Sequence, residues 1–348
     1  MAKIILYTDV HWCTYSSIVR KRGKMYSVRL EHLIDSMNFV QDVARRYNAI
    51  ATYCLGDFFD KPDLTSEELT ALRDIKWDTN CEHYFIVGNH ESEQSDLTYN
   101  SSKALETLDK DRFKVINNIC SQQIDNMKIV MLPYITEKNR KPIEDYIVDK
   151  DKEHTVILSH NDIKGIQYGK YQSKEGFELQ NILDNCKLFI NGHLHNSSYL
   201  DKDCKILNLG NLCGMNFNEN ALEFPHLVGI LDTETFELIF EENPYALNFY
   251  SVDASELQTC GIDFRNAIVQ MMCWDYQADI VKKALKNNPN ILEYRIVVKR
   301  SENTNTNIDN SSELKVDRYL DKFVECVSEK IESSDMLKEE LGEIIKCD

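Results

Sequence analysis

Five short segments of this chain end an apolar run with residues able to hold a metal ion. Asp9-Val10-His11 follows Ile4-Ile5-Leu6-Tyr7, Gly56-Asp57-Phe58-Phe59-Asp60 follows Ala51-Thr52-Tyr53-Cys54-Leu55, and Gly88-Asn89-His90-Glu91 follows Tyr84-Phe85-Ile86-Val87. Ser159-His160 follows Val156-Ile157-Leu158, and Gly192-His193-Leu194-His195 follows Leu188-Phe189-Ile190. The candidate ligands are carboxylate (Asp9, Asp57), imidazole (His11, His160, His193, His195) and amide oxygen (Asn89), with no thiolate. Mixed oxygen and nitrogen ligation suits manganese, iron or zinc and disfavours a structural zinc cage, which would draw on cysteine. Seven ligands exceed what one tetrahedral ion accepts. Two ions about 3.5–4 Å apart and bridged by one carboxylate would use them all, as in the two-metal clamp of phosphoester hydrolysis. Of the 9 histidines, His11, His90, His160, His193 and His195 fall in these turns. His32, His83, His154 and His226 lack such company and are expected to be structural.

Side chains just past buried strands are aimed by the sheet, so the strands and the helices that cover them set the site. Val28 to Arg46 places Leu30, Leu33, Ile34, Met37, Val40, Val43 and Ala44 on one helical stripe between two apolar strands, a βαβ unit. A helix is expected from Ser66, its N-cap, to Ile75, and a helical stretch from Ser101 to Leu108. Strands are expected at Phe113 to Ile116, Lys128 to Leu132 and Thr155 to Leu158. Ile206 to Gly210 and Leu227 to Asp232 would complete a second sheet. The expected fold is α/β, a two-sheet sandwich with outer helices over residues 1–243. After Asn243-Pro244-Tyr245 the spacing predicts one helix over Phe264 to Lys286 and a strand at Ile296-Val297-Val298, a small α/β unit over 244–300. Residues 301–312 are Asn, Ser and Thr with little to bury, which reads as a linker. Residues 313–348 read as a helical tail whose stripe is Val316, Leu320, Phe323, Val324, Val327 and Ile331.

At 348 residues with 43% hydrophobic content the chain can bury a sizeable core. No run approaches the roughly 18 apolar residues of a membrane span, and an N-terminus with Asp9 is no signal peptide, so a cytoplasmic protein without membrane contact is expected. The 11 cysteines are scattered without a C-x-x-C pair, so reduced thiols are expected. A net charge of -17 excludes a general basic coat for nucleic acid and leaves only local patches. Two such patches are Arg20, Lys21, Arg22 and Lys24, and Lys138, Arg140 and Lys141.

D-x-H, G-D-x-x-D, G-N-H-E, S-H and G-H-x-H in this order resemble the calcineurin-like metallophosphoesterase superfamily. The long helix after the first motif, Asn243-Pro244-Tyr245 and the appended small unit are most similar to the SbcD-type DNA repair nuclease and its phage relatives. The resemblance implies a first metal held by Asp9, His11, Asp57 and His195, and a second held by Asp57, Asn89, His160 and His193, with Asp57 bridging. Two divalent ions, manganese first among them, are the implied cofactors. His90 would stand where the family's leaving-group acid stands. Asp60 occupies a place where some relatives carry a DNA-orienting His, and Glu91, often Asp in relatives, would lie behind the ligands. The implied activity is DNA exo- and endonuclease in double-strand-break repair and recombination, in a nucleoid-associated complex of a bacterial or phage-infected cell. The implied partners are DNA, an SbcC-type coiled-coil ATPase docked on the tail, and a second copy paired through Ser66 to Ile75 and Ser101 to Leu108. The alternative is a stand-alone small-molecule phosphodiesterase or phosphatase. Protein Ser/Thr phosphatases are disfavoured because Lys61-Pro62 stands where they carry Arg-Gly, and a binding module without catalysis is disfavoured because no ligand position is substituted.

Overall fold

The computed structural model describes residues 2–16, 18–93, 97–147, 151–168, 171–255 and 264–299. The chain divides into two units, Met1–Arg300 and Ser301–Asp348, and all described residues belong to the first. The 301–312 linker and the 313–348 tail lie outside the described residues.

Two six-stranded sheets stack face to face. The first runs Leu238–Glu242, Leu227–Asp232, Lys3–Tyr7, Ala51–Cys54, Glu82–Ile86, Phe113–Ile116, the last four mutually parallel. The second runs Ser198–Tyr199, Ile206–Asn208, Leu188–Asn191, Thr155–Ser159, Met127–Leu132, Cys120–Ile124, with a parallel centre. Strand alternation sends Ile4 and Leu6 between the sheets, where they meet Met131, Val156, Leu158 and Ile190. Ile5 and Tyr7 point the other way, onto Leu30, Leu33, Met37 and Val40 of helix α1 (Val28–Arg46). The outer face of the second sheet (Val130, Ile157, Phe189) is covered by Ile143, Ile163, Phe177 and Ile182. This is the expected α/β sandwich. Ser27 caps α1, its side chain accepting from Leu30 N at 3.1 Å.

Three expectations are corrected. Leu227–Asp232 joins the first sheet, antiparallel to Lys3–Tyr7, instead of the second. It is buried on both faces, with Val228 and Ile230 toward α1 and Leu231 between the sheets, and such a run carries no mark of its neighbour. Phe264 to Lys286 is not one helix: Ala267–Trp274 is a strand, and the helix is confined to Ala278–Asn287. The strand is central in a parallel sheet between Asn248–Asp253 and Ile291–Lys299. Its Val269 and Met271 face the helix, while Ile268 packs with Phe249 in the core under α1, so apolar residues on both faces imitated a helical stripe. Finally, the helix at Ser66 is α-helical only to Ala71 and continues as a 3-10 turn, Leu72–Asp74. Its N-cap is Thr65, which forms a capping box with the buried Glu68. Ser101–Thr107 is helical, in 3-10 form.

No helix among the described residues is long and apolar enough to cross a membrane.

Candidate metal centre

The five motifs meet at one edge of the sandwich because the strands that carry them are parallel and end together. Asp9, His11, Asp57 and His193 have φ of 49°, 47°, 48° and 73°, the left-handed region where a side chain costs about 1–3 kcal/mol. The strain turns each side chain sharply off its strand toward the others. Gly88 is required beside them, since a Cβ there would fall on the Asp57 carboxylate.

His11, Asp9 and His195 form one cluster and Asp57, His160 and His193 a second, and Asp57 also groups with His11 and His90. In the first, His11 Nδ1–H donates to Asp60 Oδ1 at 3.0 Å and His195 Nδ1–H to Glu219 Oε1 at 2.6 Å. These partners fix the tautomers. The two Nε2 lone pairs therefore face one another at 3.0 Å, and Asp9 Oδ1, fully buried without a hydrogen-bond partner, lies 3.8 Å from each. Three converging acceptors repel unless a cation stands among them, so a divalent ion fits this donor set. Burial alone would lower the His195 pKa, but Glu219 and Asp9 raise it; His11 is lowered by its burial.

In the second cluster His160 Nδ1–H donates to the Leu55 carbonyl at 2.8 Å. Its Nε2 faces Asp57 Oδ2 at 3.1 Å and Asn89 Oδ1 at 3.2 Å, and Asn89 Oδ1 lies 3.0 Å from His193 Nδ1. His193 Nε2 is held by Asp162 Oδ1 at 3.2 Å. Acceptors converge here as well. Burial would lower His160, yet the Asp57 and Asp9 charges raise it to about 9. Burial would raise Asp57, yet His160 holds it far below the usual carboxylate range.

Around the clusters, His90 is the exposed imidazole, 42% accessible, its ring centroid 4.8 Å from that of His11. Its Nδ1–H donates to the Asp60 carbonyl at 3.0 Å and its backbone N–H to Asp57 Oδ1 at 2.9 Å. Asp60 thus orients His11 with its carboxylate and His90 with its carbonyl. Glu91 is buried behind the ligands and accepts from Gly88 N, Phe58 N and Ser102 Oγ at 2.5, 2.9 and 2.6 Å, tying the GNHE turn to the Asp57 turn. Burial and the neighbouring Asp57 raise its pKa to about 7.

Among the basic groups, Arg140 reaches the edge of the second cluster, its Nη2 4.0 Å from Asp162 Oδ2. Arg20, Lys21, Arg22 and Lys24 are exposed, but Arg22 pairs with Glu67 at 2.6 Å and Lys21 bonds the Leu292 carbonyl. Lys138 and Lys141 are exposed, whereas the Arg140 side chain is 5% accessible, held by Glu137 and Ile135 O over the Phe177 ring. His32, His83, His154 and His226 take hydrogen bonds outside the two clusters. Two functional carboxylates were not foreseen. Asp162, two residues past His160, had a local signal in its position beside a strand-end ligand. Glu219 had none: it comes from a distant loop and is clamped by Asn211, Met215 N and Asn216 at 2.8, 2.6 and 2.6 Å. Despite its burial these bonds and His195 hold its pKa at about 2.

Solved structures similar to the chain include an archaeal phosphodiesterase (16% identity over 69% of this chain and 99% of that one, TM-score 0.36). Others are a dimetal phosphatase from Danio rerio (12%, 70% and 96%, TM-score 0.42) and a calcineurin-like phosphoesterase from Bacillus subtilis (12%, 69% and 88%, TM-score 0.35). No curated protein matches the sequence. The profile of the calcineurin-like phosphoesterases matches residues 2–197, more than half of the chain and the span that contains all seven candidate ligands, and the chain belongs to that family.

Proposed function

We propose that this phosphoesterase is a manganese-dependent DNA nuclease of the SbcD type, acting on duplex ends in break repair and recombination. The carrying observation is the pair of adjoining acceptor clusters linked through Asp57, which groups with His160 and His193 and also with His11 and the exposed imidazole of His90. Asp9, His11, Asp57 and His195 would hold one divalent ion, and Asp57, Asn89, His160 and His193 the other. Bound ions supply Lewis acidity that lowers the pKa of water and offsets charge on phosphoryl oxygens. The chain's own residues do the rest. Asp60, Glu219, Leu55 O and Asp162 aim the imidazoles, and Glu91 locks the two ligand turns together. His90, with Nδ1–H committed to the Asp60 carbonyl, leaves Nε2 to carry a proton to a departing oxygen.

Support for DNA as the substrate comes from the motif resemblance and from the appended Asn248–Lys299 sheet, which lies beyond the family match. Exposed Lys138, Lys141 and the Arg20–Lys24 loop are the groups that meet phosphates. The same reading gives the chain a homodimer partner along Ser66 to Ile75, where Leu69 is 43% exposed, and Ser101 to Leu108, and an SbcC-type ATPase on the tail. Sedimentation at micromolar concentration tests the dimer, and co-purification with the ATPase after truncation near Asn310 tests the tail.

The deciding experiment compares linear duplex DNA, single-stranded DNA and a bis-nitrophenyl phosphodiester with manganese. Duplex cleavage is expected. Strong small-ester turnover without DNA cleavage at any metal concentration would make the protein a small-molecule phosphodiesterase.

A further inference from the structure

We propose that Arg29 is a positioning residue for the first metal centre, a buried fork that fixes the separation of its His11 and His195 halves. This rests on the metal assignment above and not on the DNA substrate.

Arg29 is wholly buried in the first turn of α1, two residues past the Ser27 N-cap. Burial and the helix dipole both oppose a cation there. The helix N-terminus carries partial positive charge, the site excludes water, and among the described residues no carboxylate forms an ion pair with it. An apolar side chain of similar volume would serve packing alone as well or better.

What the guanidinium does touch explains its presence. Nη2 donates to the carbonyl of His11 at 3.2 Å, Nη1 to the carbonyl of Gly214 at 3.0 Å, and Nε to Cys13 Sγ at 3.1 Å. His11 is itself a ligand, in a strained left-handed turn. Gly214 immediately precedes Met215, whose N–H donates to the Glu219 carboxylate, and the other oxygen of that carboxylate accepts from His195. One planar group therefore joins the backbone of one imidazole ligand to the loop that aims the other. The second centre is aimed by other groups: His160 by the Leu55 carbonyl, and His193 by Asp162, whose other carboxylate oxygen lies 4.0 Å from Arg140 Nη2. The fork geometry suits arginine; a lysine keeps the charge but not two rigidly spaced donors.

The test titrates manganese into chelator-stripped full-length wild type, Arg29→Lys and Arg29→Met by calorimetry. It also records the exchange-coupled electron paramagnetic signal of the ion pair and the melting of each metal-free form. Wild type takes two ions. In both variants one ion is expected to bind within about threefold of wild type and the other about 10- to 100-fold more weakly, with the coupled signal lost until that site refills. If both ions weaken together in step with a lower metal-free melting temperature, Arg29 is merely structural and the proposal fails. It fails too if neither affinity moves. Should Arg29→Met not fold, Arg29→Lys decides alone, and failure of both to fold makes Arg29 a core residue and ends the proposal. Wild type taking up no metal would instead overturn the metal assignment.

Discussion

The two halves of the candidate metal centre are aimed by different means. In the first, His11 and His195 lean on carboxylates, Asp60 and Glu219, the latter supplied by a loop and itself clamped by Asn211, Met215 and Asn216. In the second, His160 leans on the carbonyl of Leu55, at the end of a strand of the facing sheet, and His193 on Asp162, which is 28% exposed. The first half thus depends on two carboxylates, Glu219 buried and Asp60 26% exposed, that single substitutions can remove. The second depends on one carboxylate and on one backbone carbonyl, which no side-chain substitution removes. A carboxylate behind an imidazole also raises ligand basicity, so the first half should hold its ion the more tightly and be the more fragile.

The largest effect should come from the residue proposed to bridge both halves. Asp57→Asn is expected to lose metal and drop hydrolysis to background, read by metal analysis of the purified protein. Retention of two ions would remove Asp57 from its bridging place.

Next, His90→Asn should cost about 10²-fold or more in rate while both ions stay bound, because His90 touches the clusters without being needed to hold them. Metal loss equal to that of Asp57→Asn would make His90 a ligand.

Glu219→Gln and Asp162→Asn then separate the halves directly. Glu219→Gln should weaken one manganese ion about 10- to 100-fold, and Asp162→Asn should weaken the other by less, since a partly exposed carboxylate is screened by water. Equal losses would erase the distinction between a half aimed by two carboxylates and a half aimed by one.

The smallest effect concerns the rim. Replacing Arg20, Lys21, Arg22 and Lys24 with Ser should flatten the salt dependence of duplex binding by about one unit of slope for each phosphate that the loop no longer neutralises. Arg22, already paired with Glu67, should contribute least. An unchanged slope would mark the loop as ordinary solvated surface.

Much of the site was legible because each ligand sits in a turn directly after its strand. An apolar run and the polar residues next to it are neighbours in sequence, so Asp9, His11, Asp57, Asn89, His160, His193 and His195 could be read without knowing how the strands pair. The α1 stripe was legible for the same reason, as one face of a regular helix. Contacts between distant segments were not. Nothing near Glu219 marks it as the partner of His195, and nothing near Arg29 marks it as a clamp, because hydrogen bonds that span 24 and 185 residues of chain leave no local period. Burial on both faces hid two further facts, the sheet to which Leu227–Asp232 belongs and the strand at Ala267–Trp274. A run that is apolar on every side states that it is inside, and only the packing of its neighbours decides whether it lies there as strand or helix, and in which sheet.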